Sequence, residues 1–119
     1  MPRAVMTVRT MSVGTGRTVV IRGEVDSTTV ETVEDALAAA MRSEVPGELV
    51  VDLTGVTFMG AVAVRALDRA YWDAAARGWE MWVHVAAHSV PERVLTLTSA
   101  RHCLLLRVRE HPISEHTTA

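Results

Sequence analysis

Apolar positions along this chain recur with two different periods, and the changes of period fall at glycine and proline. The stretches "AVMTVRT" and "TVVIRGEV" are β-rich and enclose Gly14 and Gly16 in "SVGTGR", which predicts a hairpin with a short polar loop. The period then lengthens. In "DSTTVETVEDALAAAMRSEV" the residues Val30, Val33, Leu37, Ala40 and Met41 share one helical face. Thr28 followed by Glu31 matches a capping box, Glu31, Glu34 and Asp35 stand early, and Arg42 stands late, as the helix dipole favours. Pro46 and Gly47 are expected to stop this helix.

"ELVVDL" is a short apolar run of the kind buried on both faces, which predicts a central parallel strand. A second helix is expected from Ala61 to Arg77 with the stripe Val64, Leu67, Tyr71 and Ala74, and Gly78 is placed to end it. "EMWVHV" reads as a strand, "SVPERVLTLTSA" as a short helix with Pro91 in its first turn, and "CLLLRVRE" as a last strand. The predicted order is β-β-α-β-α-β-α-β. Alternating strands and helices imply right-handed crossovers and an α/β fold with a mixed, mostly parallel sheet, antiparallel at the N-terminal hairpin. Val33, Leu37, Leu53, Leu67, Val83, Leu97 and Leu104 are expected to be buried together, with helices beginning near Thr28, Ala61 and Val90.

Length and composition narrow this picture. A chain of 119 residues suits one domain over 1–119, long enough for a hydrophobic core without disulfides or metals, with residues 110–119 expected to form a flexible tail. The formal net charge is −2, and every basic residue is arginine, spread among acids with no basic run, which argues against nucleic acid as a partner. Cys103 is the single cysteine, so no intramolecular disulfide forms, and the leucines after it suggest a packed thiol. The N-terminus lacks the apolar segment of a signal peptide and no apolar run spans a bilayer, so the expectation is a cytoplasmic protein with no membrane partner.

Few residues stand out as carriers of chemistry. Trp72 falls on a helical wheel near Arg65, Asp68 and Arg69, away from the apolar stripe. In "EMWVHV" the period of two puts Met81, Val83 and Val85 on one face and Glu80, Trp82 and His84 on the other, so Trp82 and His84 look outward if the first face is core. Such rings either lie under a loop, the tail or an arginine, or form an aromatic patch for a protein or planar ligand. His84, His88, His102 and Cys103 have no familiar zinc spacing, and no metal or cofactor is expected. Neither a phosphate-binding glycine loop nor a nucleophile elbow is present, so no catalytic residue is assigned. Asp26 precedes a helix start as an N-cap does.

Several stretches together resemble the STAS domain, the family of bacterial anti-sigma factor antagonists. They are "IRGEVD" (residues 21–26), "LVVDLTGVTFM" (49–59), "VRAL" (64–67), "AAARG" (74–78) and "RVLTLTSA" (93–100), in the family's order along nearly the whole chain. The resemblance implies a STAS-like fold, a role in transcription regulation, and a protein partner, an anti-sigma factor or related kinase-like protein. Family antagonists carry Asp-Ser-Ser/Thr-Gly in the turn after the "VTFM"-like stretch, where a hydroxyl is phosphorylated. Here the four places are Gly60, Ala61, Val62 and Ala63, none with a hydroxyl or carboxylate. A phosphate at a helix mouth adds nearly two charges that a packed partner must desolvate, and this turn has no atom to receive one. Asp26 matches the family's acidic residue beside the turn, while Thr54 and Thr57 are the nearest hydroxyls, either displaced phosphosites or groups satisfying local backbone.

Two functions follow. The first is a non-catalytic interaction module, not switchable at the usual turn, that binds its partner through Asp26, Gly60, Ala61, Val62, Ala63, Arg65 and Trp72. The second is a stand-alone STAS-like domain that binds or transforms an apolar small molecule, for example in a biosynthetic pathway, in a pocket involving Met59, Trp72, Trp82 and His84.

Overall fold

A computed structural model describes residues 6–102 and 106–109. The elements are β1 (Met6–Val13), β2 (Gly16–Val25), α1 (Val30–Ala40), β3 (Glu48–Met59), α2 (Ala61–Ala76), β4 (Glu80–Ala86), α3 (Val90–His102) and β5 (Leu106–Arg109), the order predicted from the sequence. The strands form one sheet in the order β1-β2-β3-β4-β5. β1 and β2 are antiparallel, and β2, β3, β4 and β5 run parallel. The hairpin turns on Gly14 and Thr15, and a positive φ of 59° at Gly14, the first central residue, suits a type II′ turn. Gly47 packs against this turn, where a Cβ would collide with the Thr15 carbonyl oxygen.

β3 is the central strand and extends well past "ELVVDL". Its pairing with β2 shifts register between Val20 and Arg22 and again between Gly23 and Glu24. Each shift gives β3 one extra residue, so its core-facing positions after Leu53 come at intervals of three, as Val56 and Met59. Thr57 and Phe58 are turned out between them. These positions face Val33 of α1 and Ala63 and Leu67 of α2 across the same packed space as Ile21 and Val25. Leu95 of α3 joins that core, and α3 packs against β3 and β4.

Departures from the sequence expectations have local causes. α1 begins at Val30 and ends at Ala40, before Pro46 and Gly47, because Met41 already leaves helical geometry and buries its side chain. The Thr28/Glu31 capping box does not form. Thr29 is the N-cap and makes no side-chain cap bond, whereas Asp26 Oδ1 accepts from the Thr28 backbone N–H (2.9 Å) and hydroxyl (2.7 Å), closing an Asx-turn ahead of the helix. A cap that was not anticipated starts α3, where the Glu92 N–H donates to Ser89 Oγ at 3.2 Å and Glu92 Oε1 accepts from the His88 N–H at 2.7 Å. α2 begins at Ala61 as expected and ends at Ala76, one residue short of Arg77, with Gly78 at φ 83° just beyond.

Of the expected core, Val33, Leu37, Leu53, Leu67 and Val83 are buried. Leu97 is 80% exposed, because Leu95 takes the inward position of α3. His84 also departs from expectation: it is 4% exposed on the sheet face away from α1 and α2, covered by side chains from β5. Cys103, Leu104 and the tail at 110–119 lie outside the described residues.

Leu67 tests this packing. Leu67→Ala is expected to destabilise the fold by about 2 to 5 kcal/mol through lost burial and the cavity left among Ile21, Val33 and Leu53. Chemical denaturation of both proteins measures it, and a loss below about 0.5 kcal/mol, the scale of a surface change, contradicts the packing.

Candidate functional site

The turn from β3 into α2 is held from below. Val25 pairs with Met59 in register, and the Gly60 N–H donates to the Val25 carbonyl at 3.0 Å. Gly60 is the N-cap of α2 at φ −86°, ψ 175°, a conformation open to any residue, and a Cβ there would meet Phe58 Cε2 at an ordinary 3.6 Å. Glycine is thus not imposed by the backbone. It leaves the helix with no side-chain cap bond and no acid in its first turn. Ala61 is exposed, Val62 half-buried, Ala63 buried in the core, and Phe58 beside them 49% exposed. The turn therefore presents a small apolar surface where a hydroxyl or carboxylate would otherwise stand.

Arg65 and Trp72 continue that surface. At about 100° per residue, Ala61, Arg65 and Trp72 fall within about 40° of one another on α2. All are exposed, Trp72 by 58%, and its ring meets Tyr71 edge to face at 5.3 Å. Asp26 follows Val25 at the foot of the turn. Its hydrogen bonds from Thr28 hold its carboxyl below the ordinary carboxylate range, against an opposing effect of desolvation, with lesser help from Thr29. Those bonds commit Oδ1 to the loop before α1.

The two threonines separate. Thr54 is 8% exposed and donates its hydroxyl to Asp52 Oδ1 at 2.7 Å, a carboxylate and not the backbone acceptor expected for a turn residue. Thr57 is exposed and donates to the Gly23 carbonyl at 3.4 Å.

Met59, Trp72, Trp82 and His84 do not form one pocket. Met59 is sealed in the core beneath α2, and Trp72 stands on the outer side of that helix. Trp82 and His84 point to the opposite face of the sheet, because Val83 and Val85 between and after them fill the helix-side core. There the Arg107 guanidinium lies 4.0 Å over the Trp82 ring, and Trp82 Nε1 is buried with no acceptor among the described residues. His84 is held below its ordinary pKa of 6.5 by burial first and then by Arg109 and Arg107, with Asp52 and Glu48 opposing.

A cleft of about 580 Å³ runs instead between α1 and α2, floored by Leu37, Met41, Ala66 and Ala70 and edged by Trp72. Glu34 and Arg69 bridge it at 3.0 Å. The cleft was not legible in either helix alone, since it arises only where the two are set side by side. Among the described residues, no three His, Cys, Asp or Glu side chains gather as for a metal ion, and no helix is long and apolar enough to cross a membrane.

Residues 6–112 match the model of the STAS domain. Among solved structures, the chain is similar to an anti-sigma factor antagonist from Mycobacterium paratuberculosis, with a TM-score of 0.74 and 25% identity over 85% of this chain and 84% of that one. Two others are similar in fold. The STAS domain of an antisigma-factor antagonist from Rhodobacter sphaeroides has a TM-score of 0.55 and 21% identity over 67% of this chain and 86% of that one. An anti-sigma-factor antagonist (STAS) domain protein from Planctomyces limnophilus has a TM-score of 0.64 and 20% identity over 87% of this chain and 90% of that one. No curated protein matches the chain. The match over residues 6–112, with which the order β-β-α-β-α-β-α-β agrees, makes this chain a member of the STAS domain family.

Proposed function

We propose that this chain is a single-domain, cytoplasmic regulatory module that docks on an anti-sigma factor or related kinase-like protein through the β3–α2 turn and the outer side of α2, without a phosphorylation switch at that turn. The observation that carries the proposal is the set of exposed side chains Phe58, Ala61, Arg65 and Trp72, with half-buried Val62 beside them, apolar at the helix mouth. Similarity to an anti-sigma factor antagonist supplies the class of partner. Asp26 shapes the loop beside this surface, and its Thr28 and Thr29 bonds make it a positioning residue.

With no hydroxyl at residues 60–63, incubation with a cognate kinase and ATP is expected to leave the turn unmodified, as read by intact-protein mass spectrometry. Phosphate on the exposed Thr57 would place the switch three residues upstream of Gly60 and overturn the unswitched reading; the buried Thr54 is not a comparable target.

Docking is tested by charge at the same place. Ala61→Asp sits in the first turn of α2, where the dipole favours an acid, so stability is expected to change by less than about 1 kcal/mol. Partner affinity is expected to fall by about 2 to 5 kcal/mol, because a carboxylate at an apolar interface without a counter-charge is left desolvated and unpaired. Trp72→Ala is expected to cost about 2 kcal/mol as loss of an aromatic anchor. Titration calorimetry of the complex measures both, and unchanged affinity in both variants removes the turn and α2 from the interface.

The α1–α2 cleft supports a second reading, binding of an apolar small molecule beside Trp72. Its volume lies in the range of small-molecule sites. A ligand there is expected to quench tryptophan fluorescence saturably, with the quench lost in Trp72→Ala and retained in Trp82→Ala; the reverse pattern excludes the cleft.

A further inference from the structure

The sheet face opposite α1 and α2 holds a polar cluster that the docking surface does not use. His84, 4% exposed, lies between two guanidinium groups: Arg107 Nη1 is 3.3 Å from Nε2, and Arg109 Nη2 is 3.4 Å from Nδ1. A neutral imidazole has one acceptor nitrogen and one N–H, while a guanidinium only donates. One of the two contacts therefore sets N–H against N–H, and that buried ring nitrogen has no acceptor among the described residues.

The charges around the ring are unevenly matched. Arg107 reaches Glu48 at 3.4 Å through side chains 40% and 44% exposed, a weak pairing. Asp52 is 2% exposed and gives Oδ1 to the Thr54 N–H and hydroxyl. Among the described residues, no carboxylate pairs with Arg109. Stacking over Trp82 fixes the Arg107 guanidinium, and the Ala87 N–H, bonded to the Arg109 carbonyl at 2.7 Å, fixes the backbone under Arg109. Two guanidinium groups thus flank one buried ring, one at each ring nitrogen.

We propose that Arg107 and Arg109 of β5, with His84 of β4 beneath them, form a binding site for a small tetrahedral oxyanion, sulfate or phosphate. Several acceptor oxygens on one centre match the N–H donors of two guanidiniums, in charge-assisted bonds. The anion also supplies the acceptors that the facing N–H groups at His84 lack. Its oxygens can accept from a guanidinium and from one ring N–H, and its negative charge favours the imidazolium. The groups facing His84 are Glu48 and Asp52 from β3 and Arg107 and Arg109 from β5. Without the anion, burial and the two arginines keep the ring neutral to below its ordinary range.

Inorganic sulfate is the probe, because it does not titrate where histidine does. The chain is titrated with sodium sulfate against sodium chloride at equal ionic strength, following the arginine side-chain and His84 ring signals by NMR. The site predicts saturable shifts with sulfate and not chloride, a His84 pKa that rises on saturation, and affinity that increases as pH falls from about 8 to about 5.5. Arg109→Gln, at an exposed edge position that keeps its backbone bond, is expected to weaken binding at least about tenfold while leaving the fold intact. A response equal to that of chloride, or undiminished binding in Arg109→Gln, overturns the proposal. Glycerol 3-phosphate identifies the source: tighter binding than sulfate assigns the site to a phosphoryl group on an organic molecule, and equal binding assigns it to the free ion.

Discussion

A strand with parallel neighbours on both sides has its backbone groups satisfied laterally and must cover both of its faces with side chains, and β3 meets that condition unusually fully. Leu49 and Val51 are wholly buried, Leu53 is 2% exposed, and on the other face Asp52 is 2% exposed. The apolar side chains meet the helices; the carboxylate is accommodated because Thr54, two residues on, donates both its N–H and its hydroxyl. Because β3 adds two residues relative to β2, Leu53, Val56 and Met59 all reach the core, and the chain arrives at Gly60 anchored by Met59 with Phe58 turned outward. The position and exposed character of the turn are thus consequences of how the central strand is paired.

That anchoring matters to how such a turn can be regulated. A phosphate acts by bringing a charge to a fixed place at the helix mouth, so the scaffold under it has to be rigid whether or not the hydroxyl is there. The Gly60 N–H bond to Val25 and the burial of Met59 and Ala63 supply that rigidity here. A Cβ at Gly60 would meet only ordinary contacts, so the backbone accommodates a larger residue at the first position of the turn. On the docking proposal, what departs from the motif that the family resemblance implies is the side-chain chemistry of residues 60–63. On the docking proposal, control of binding then passes from a covalent change to the concentrations of the module and its competitors.

The sequence was most legible where one face of an element is buried and the other is not. The helical stripe of α2 and the positive-φ glycines at its end and in the hairpin could be read residue by residue. β3 was legible in its first half, where "ELVVDL" has the composition of a doubly buried strand, and less so beyond it, because each added residue breaks the period of two on which a strand is recognised. Leu97 illustrates the limit in α3, where Leu95 and Leu97 are close in sequence but on different sides of the helix and composition alone favours neither. The site residues fared similarly. Asp26 carries a signal for local capping that the structure assigns to an Asx-turn, while the α1–α2 cleft arises only when two helices are set side by side.

His84 shows why an outward-pointing position need not be an exposed one. Period two correctly separates Trp82 and His84 from Met81, Val83 and Val85, but it says nothing of what lies over the second face. Arg107 and Arg109, paired in register with His84 and Ala86, supply long stems that cover the ring while keeping their charged ends near solvent. Trp72 stands on the far side of a helix layer and a sheet, on the order of 10 Å per layer, so no ligand of modest size touches both tryptophans. The molecule therefore has two chemically distinct faces, one around α2 that is apolar at the helix mouth and carries Trp72, and an arginine-lined one on β4 and β5. They share the strands between them, in which Leu49, Val51, Val83 and Val85 are wholly buried. Local changes on one face are expected to leave the other unaltered, as for independent sites whose effects add.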